Sequence, residues 1–333
     1  MNPNASLSPI KPEDEKSPFL SHGKPVSTQM DFLSRMITQP KAVIGLVILA
    51  FFILAALLAP VIAPNNPNIY VGLPNQPPSS EHWLGTTGQG QDVFTQLVWG
   101  SRISLLIGFS VGILSTILGL VIGMISGYFP GVIDGVLNMF TNVFLLIPGL
   151  PLLIALASFL PQGMLTVMLV LTFTGWSWPA RVFRSQMLSL REKDFVSASV
   201  VSGEGVSRIV FSEILPNMLS LVMSSLFGAV IYTIGADAGL AFLGFENVNI
   251  VSWGTMLYWA SNSSALLQEA WWTFLPPGLC IALVSFATTM LIYAMDEVTN
   301  PRLRTEKEIN RVLRKFHIGS NRSTPVVKEP LAQ

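Results

Sequence analysis

Charge is scarce in this sequence of 333 residues: Asp, Glu, Lys and Arg make up 11% of it, where a soluble domain carries about 25%. Half the residues are hydrophobic and the mean hydropathy is positive. Much of the surface therefore faces lipid rather than water, as in an integral membrane protein. The 19 basic and 19 acidic residues cancel, which leaves no basic excess to neutralise phosphates and argues against a nucleic-acid partner. The apolar content argues equally against a disordered chain. One cysteine, Cys280, rules out an intrachain disulfide or a cysteine zinc site. His22, His82 and His317 are too scattered to suggest a metal cluster. No Gly-x-x-x-x-Gly-Lys-Ser/Thr loop offers a phosphate cradle, and no Gly-x-Ser-x-Gly or His-Glu-x-x-His element offers catalysis. No catalytic residue, metal or cofactor is expected.

What is present is a series of apolar runs. Residues 1–41 are polar and rich in proline and serine. The first apolar stretch starts too late for a signal peptide, and no small-residue cleavage site follows it. That stretch, 42–63, is uncharged and long enough to cross a hydrocarbon core of about 30 Å at about 1.5 Å per residue. Residues 64–101 form a loop that ends in a short amphipathic helix, Asp92 to Trp99. A core of five more spans, 102–296, follows: Ile103 to Phe129, Val132 to Phe159, Met164 to Ala180, Met218 to Phe242, and Trp271 to Ala294. Residues 297–333 form a basic, polar tail. The predicted class is all-α, a polytopic membrane protein with six transmembrane helices.

Within the spans, Gly108, Gly112, Gly119, Gly123 and Gly127, with Thr116 in the gap, place small residues on one helical face, where a second helix can approach closely. Asp134, Asn138 and Asn142 recur every fourth residue and share a face, and Pro148 and Pro151 kink or end that helix. Polar groups at membrane depth face other helices or a watery path, so Asn138, Asn142 and Asp237 are candidate path residues. Asp237 reads equally as an interfacial residue solvated by headgroups, and Asp134 as one solvated from the membrane edge. The Trp pairs at 176/178 and 271/272 suit interfacial belts better than stacking platforms.

With six spans, every basic residue but Arg102 falls on one side. The other side keeps Arg102 against Glu81, Asp92, Asp237, Glu246 and Glu269. The positive-inside rule makes the basic side cytoplasmic, with both termini inside the cell membrane. The one long hydrophilic stretch between spans, 185–216, is then cytoplasmic too.

That stretch reads as a helix from Asp194, a break at Gly203–Gly205, and a second helix entering the membrane at Pro216. Physics alone permits a surface anchor. However, Ala198, Gly203, Ile209, Leu215, Pro216 and Asn217 resemble the Glu-Ala-Ala…Gly…Ile…Leu-Pro loop of permease subunits of binding-protein-dependent ABC importers. Ser197 stands where that family has Glu, and Ser199 where it has Ala. The segments His82–Val93, Ser101–Leu105, Ala238–Gly244, Ser252–Met256, Trp272–Gly278 and Met295–Arg304 resemble, in order, those of the dipeptide/oligopeptide/nickel branch, with departures at Trp83, Gln91 and Asn300.

The resemblance implies a type I ABC importer permease fold and no covalent chemistry. It also implies the partners: a second homologous permease, two ATP-binding subunits, an extracytoplasmic solute-binding protein and the lipid bilayer. Ser197, Ala198, Ser202, Gly203, Glu204, Gly205, Arg208 and Pro216 would couple to an ATPase. The implied solute is a peptide before an oligosaccharide or a nickel chelate. The rival reading is an ion-coupled secondary transporter, which predicts charged mid-membrane groups and inverted repeats. An intramembrane enzyme would need catalytic residues facing each other at membrane depth. The sequence displays neither pattern.

Overall fold

The computed structural model describes residues 39–299. The expected N-terminal segment up to residue 38, and the tail and its Asn300–Arg304 motif, lie outside the described residues. Twelve α-helices account for most of what is described: α1 Pro40–Leu57, α2 Ala59–Ile62, α3 Val93–Tyr128, α4 Val132–Leu146, α5 Gly149–Phe159, α6 Met164–Gly175, α7 Ser177–Arg191, α8 Asp194–Val201, α9 Val206–Arg208, α10 Leu215–Phe242, α11 Trp253–Asn262 and α12 Leu275–Thr299. Among the described residues, pairing between extended segments amounts to two isolated bridges, Tyr70 with Gln91 and Thr86 with Asp92.

The central element is α3, whose side-chain-free stripe works as the sequence suggests. A β-carbon at Gly123 would stand 2.6 Å from the carbonyl oxygen of Ala180, and one at Gly127 would stand 2.6 Å from Cβ of Met187. Glycine therefore lets α7 lie in van der Waals contact with the α3 backbone. Further along, Gly108 and Gly112 admit Ile234 and Val230 of α10 in the same way. On the other side of α10 lies α12, which in turn meets α1 at Gly45, against Ala287 and Leu291.

Among the described residues, four helical runs are long and apolar enough to cross a membrane: α1, α3, Val206–Phe242 and Trp271–Glu297. A fifth span exists if α4 and α5 are counted together, across a bend of 92°. The third span ends its first regular part before Pro148, one of the two outcomes its prolines allow. Two sequence expectations change here. The short helix Asp92 to Trp99 is not separate; it is the first two turns of α3, capped by Asp92, whose Oδ2 accepts from Thr95 N at 2.7 Å. The expected fourth span, Met164 to Ala180, splits at Trp176. Pro179 has no N–H to give the carbonyl of Gly175, four residues back, so the ladder lapses there. The twelve residues of α6 extend only about 18 Å, which is why six full-length spans are not observed.

One end of the bundle is covered by residues 64–92 and 243–274. Indole N–H groups fasten these loops: Trp99 to Ala63 O, Trp253 to Leu97 O, Trp259 to Val248 O and Trp272 to Thr86 O. Trp272 and Trp176 are buried, so only their neighbours Trp271 and Trp178 have the exposure of belt residues.

Candidate functional site

The end opposite the loop cap is built on α7. Pro179, Ala180, Phe183 and Met187 sink into the glycine groove of α3, and three arginines secure the helix from its other faces. Arg184 donates to Asp134 through Nε at 2.6 Å and Nη2 at 2.7 Å. Arg181 donates to Asn142 Oδ1 at 3.0 Å, and Arg191 to the carbonyl of Tyr128 at 3.1 Å. Asp134 and Asn142 thus face α7, and the i, i+4 pattern of α4 is a docking face for that helix. Asn138, between them, is half-buried.

From this fixed base, α8 projects. It is rooted by one residue, Val196, which joins Phe183, Met187, Ile209, Ile214 and Met218 in a buried cluster. Its C-terminus is closed by Gly203, at φ +78°. Gly203 N donates to Val200 O, and Glu204 N to Ser199 O. Only glycine takes this left-handed conformation without strain. The chain then re-enters helix at Val206, with Glu204 and Arg208 paired at 2.8 Å. The next turn widens into a π-helix, Ile209–Ile214. Pro216 explains it: the ring lacks an N–H and crowds the carbonyl of Ser212.

Around the Gly203 turn the side chains are apolar and uncovered. Val201 is 88% exposed and Phe211 61% exposed, and Phe195, Val200 and Val206 are exposed with them. Ser197, Ala198, Ser202, Gly203, Gly205 and Arg208 are also on this surface, Glu204 is partly covered, and Pro216 begins α10 with its ring exposed. The sequence-predicted coupling residues are therefore brought together in one projecting helix–turn–helix. Ser197 and Ser199 turn their hydroxyls back on the carbonyls of Lys193 and Phe195.

Beside α7 lies a cavity of about 710 Å³, bounded by α3, α4, α5, α6, α7, α10 and α12. The bend at Pro148 opens it by carrying α5 away from the line of α4. Its polar lining is hydroxyl, including Ser115, Thr174, Ser177, Ser224 and Tyr232, and its one carboxylate is Asp296, which accepts from Ser224 at 3.3 Å. Asn138, Asn142 and Asp237 are not among its lining residues. Asp237 is instead enclosed at the cap end of α10. The sequence did hold a sign of this cavity: Ser224, Gly228 and Tyr232 recur at every fourth residue and give α10 one small, polar stripe.

Residues 119–305 match a family described as the binding-protein-dependent transport system inner membrane component. Residues 28–78 match the N-terminal TM domain of oligopeptide transport permease C. The chain is 31% identical over 286 residues to the oligopeptide transport system permease protein OppC of Bacillus subtilis, covering 84% of this chain and 92% of that one. It is 32% identical over 305 residues to the dipeptide transport system permease protein DppC of Alkalihalophilus pseudofirmus, covering 89% and 97%. Among solved structures, a chain of the inward-facing MetNI methionine ABC transporter is similar in fold. Its TM-score is 0.50 at 20% identity, over 60% of this chain and 96% of that one.

Proposed function

The chain belongs to the family of binding-protein-dependent transport system inner membrane components, a multi-pass family of ABC importer permeases, and from that premise we propose that it imports peptides at the expense of ATP hydrolysed by other subunits. The chain itself performs no covalent chemistry. It pairs with a second, homologous permease, so that the hydroxyl-lined cavity faces a shared pathway. Two ATP-binding subunits sit beneath, and a solute-binding protein delivers its cargo to the loops at the other end. Both termini and the segment 185–216 are cytoplasmic.

The observation that carries this reading is the uncovered apolar turn. Val201 and its neighbours are exposed to water at a place where the helix is short, rigidly capped and rooted by a single buried valine. An apolar surface at the tip of such a lever fits a groove on another protein better than it fits solvent. ATP-driven closure of the ATP-binding subunits would move this tip. α10 leaves the turn as one continuous helical run from Val206 to Phe242, so a displacement there tilts a wall of the cavity. That is alternating access by rigid-body motion.

A neutral hydroxyl lining with little charge suits a peptide backbone, whose amides need donors and acceptors but no counter-ion. The branch resemblance favours the same cargo over an oligosaccharide or nickel chelate.

The test is uptake of a labelled tripeptide into proteoliposomes holding this chain with its partner permease, ATP-binding subunits and binding protein. Uptake should stop on ATP depletion and survive collapse of ion gradients. The opposite result would sink the proposal and favour an ion-coupled carrier.

A further inference from the structure

Among the described residues, Arg102 is the one Lys or Arg at the cap end. Arg181, Arg184, Arg191 and Arg208 are engaged by Asn142, Asp134, the Tyr128 carbonyl and Glu204. Arg102, which is exposed, has no hydrogen bond or ion pair within the described residues. Its guanidinium lies over the Trp99 indole, 5.2 Å from the ring centre, and Trp99 is itself fixed by its N–H on Ala63 O at 2.9 Å. Stacking of this kind holds the guanidinium in place and leaves its N–H donors free.

The level is that of a membrane face. The uncharged run 103–129 begins at the next residue, and the first uncharged run, 42–63, ends at the Ala63 that Trp99 holds. Two segments thus reach the hydrocarbon edge together, with a tryptophan between them, as interfaces favour. Here Arg102 opens onto a pocket of about 300 Å³. Loops of the cap line it with Asn68 and Asn249, and no carboxylate lines it. The Asn68 amide reaches only the Asn249 carbonyl, at 3.4 Å. Glu81 and Asp92 lie about a separate pocket, and Glu246 is wholly buried. On its other side the pocket runs out onto α3. Leu106, Ile113 and Ile117 are exposed, and at about 3.6 residues per turn they share the face of Arg102. From Leu106 to Ile117 this stripe is about 16 Å long, close to half of a hydrocarbon core of about 30 Å.

We propose that this face of α3 binds one phospholipid of the leaflet at the cap end, its phosphodiester on Arg102 and an acyl chain along Leu106, Ile113 and Ile117. A guanidinium donates two parallel N–H groups to phosphate oxygens. Beyond the phosphate, a neutral, hydroxylated headgroup such as that of phosphatidylglycerol suits the Asn68 and Asn249 amides, which offer both donors and acceptors. An ammonium in the same place meets no carboxylate and faces the guanidinium, so a zwitterionic headgroup fits less well. The order of the parts is that of a lipid: a cation at the boundary and a bare apolar stripe of one leaflet's depth beneath it. A soluble anion or a protein carboxylate would use the first and leave the second uncovered. The site requires the cap end to lie at one face of the membrane and does not depend on what is transported.

The test reconstitutes the assembled transporter in nanodiscs of equal phosphatidylglycerol and phosphatidylethanolamine, releases it into mild detergent and weighs the retained lipid by native mass spectrometry. The parent should keep a phosphatidylglycerol on this chain that Arg102→Gln loses, with a fall in occupancy of about fivefold, while other retained lipids are the same in both. Leu106→Asn should lower the same occupancy with the arginine still present. In lipid-free detergent the parent and Arg102→Gln should share one thermal midpoint, and added phosphatidylglycerol should raise it in the parent alone. Equal retention by parent and Arg102→Gln would overturn the site. An equal rise in midpoint with glycerol phosphate would overturn it in favour of a soluble anion. Loss of binding-protein docking in Arg102→Gln, with lipid retention unchanged, would assign the arginine to a protein partner instead.

Discussion

Arg184 and Asp134 meet side-on: Nε to Oδ1 at 2.6 Å and Nη2 to Oδ2 at 2.7 Å, while Ser126 Oγ donates to the same Oδ1 at 2.6 Å. One carboxylate thus joins α3, α4 and α7. The planar fork of arginine fits a carboxylate in a way that lysine cannot reproduce. Because α7 carries the lever at its end, this pair fixes the base from which α8 projects.

Asp134→Asn or Arg184→Ala should therefore lower the thermal stability of the purified chain. The pair is partly exposed, with side chains 20% and 27% accessible, so the cost is set between a surface and a buried bridge, at about 1–2 kcal/mol. Arg184→Lys should recover less than half. Unchanged midpoints in all three variants would show that the glycine groove alone holds α7.

Gly203 bears on coupling. At φ +78° with open space around its missing side chain, the position restricts a substitute through the backbone and not through collision. Valine there costs roughly 1–2 kcal/mol of strain, and asparagine less. Gly203→Val should leave membrane insertion and ATP hydrolysis intact while uncoupling hydrolysis from uptake. Gly203→Asn should stay close to the parent, and so should Gly205→Ala, where φ is an ordinary −71°. Normal import by Gly203→Val would remove the turn from the coupling mechanism.

These two features differ in how far the sequence reveals them. The Gly203 turn was legible because a left-handed helix end leaves a local mark: glycines, at 203 and 205, between two helical stretches. The stripe from Gly108 to Gly127 was legible for the same reason, since small residues at a fixed period have one structural use. The Asp134 bridge was not, because its partner is fifty positions away and no local rule links them. Pro148 announced an interruption but not its 92° turn, which depends on what α5 packs against. The cavity is likewise a product of that turn. In the sequence Glu246 is one acid of the outer loop among others, and its burial, at 0% exposure just past the reversal at Gly244, has no local mark.

The glycine groove predicts opposite signs for one chemical change. At Gly123, a β-carbon would overlap the Ala180 carbonyl, which is backbone and cannot rotate away. Gly123→Ala should push α7 off α3 and cost about 1–3 kcal/mol. At Gly135, also helical, a β-carbon meets nothing within 4 Å. There the same change only raises helix propensity and should stabilise by about 0.5–1 kcal/mol. Equal thermal shifts in the two variants, of either sign, would show that the groove is not in close contact.

Gly228 separates transport from assembly. It lines the cavity on α10, and a β-carbon there meets no atom within 4 Å. Gly228→Ala should thus fold normally and transport normally. Gly228→Leu extends a branched side chain into the same space, beside Ser224 and Tyr232. It adds volume where the proposed cargo must pass without disturbing α8 or its exposed apolar tip. Uptake of the labelled tripeptide should fall severalfold, while co-purification with the ATP-binding subunits and the thermal midpoint stay at parental values. If uptake is unaffected, the cavity is not on the path. If co-purification is lost as well, the effect has travelled down α10 to the lever, and the wall and the lever move as one body.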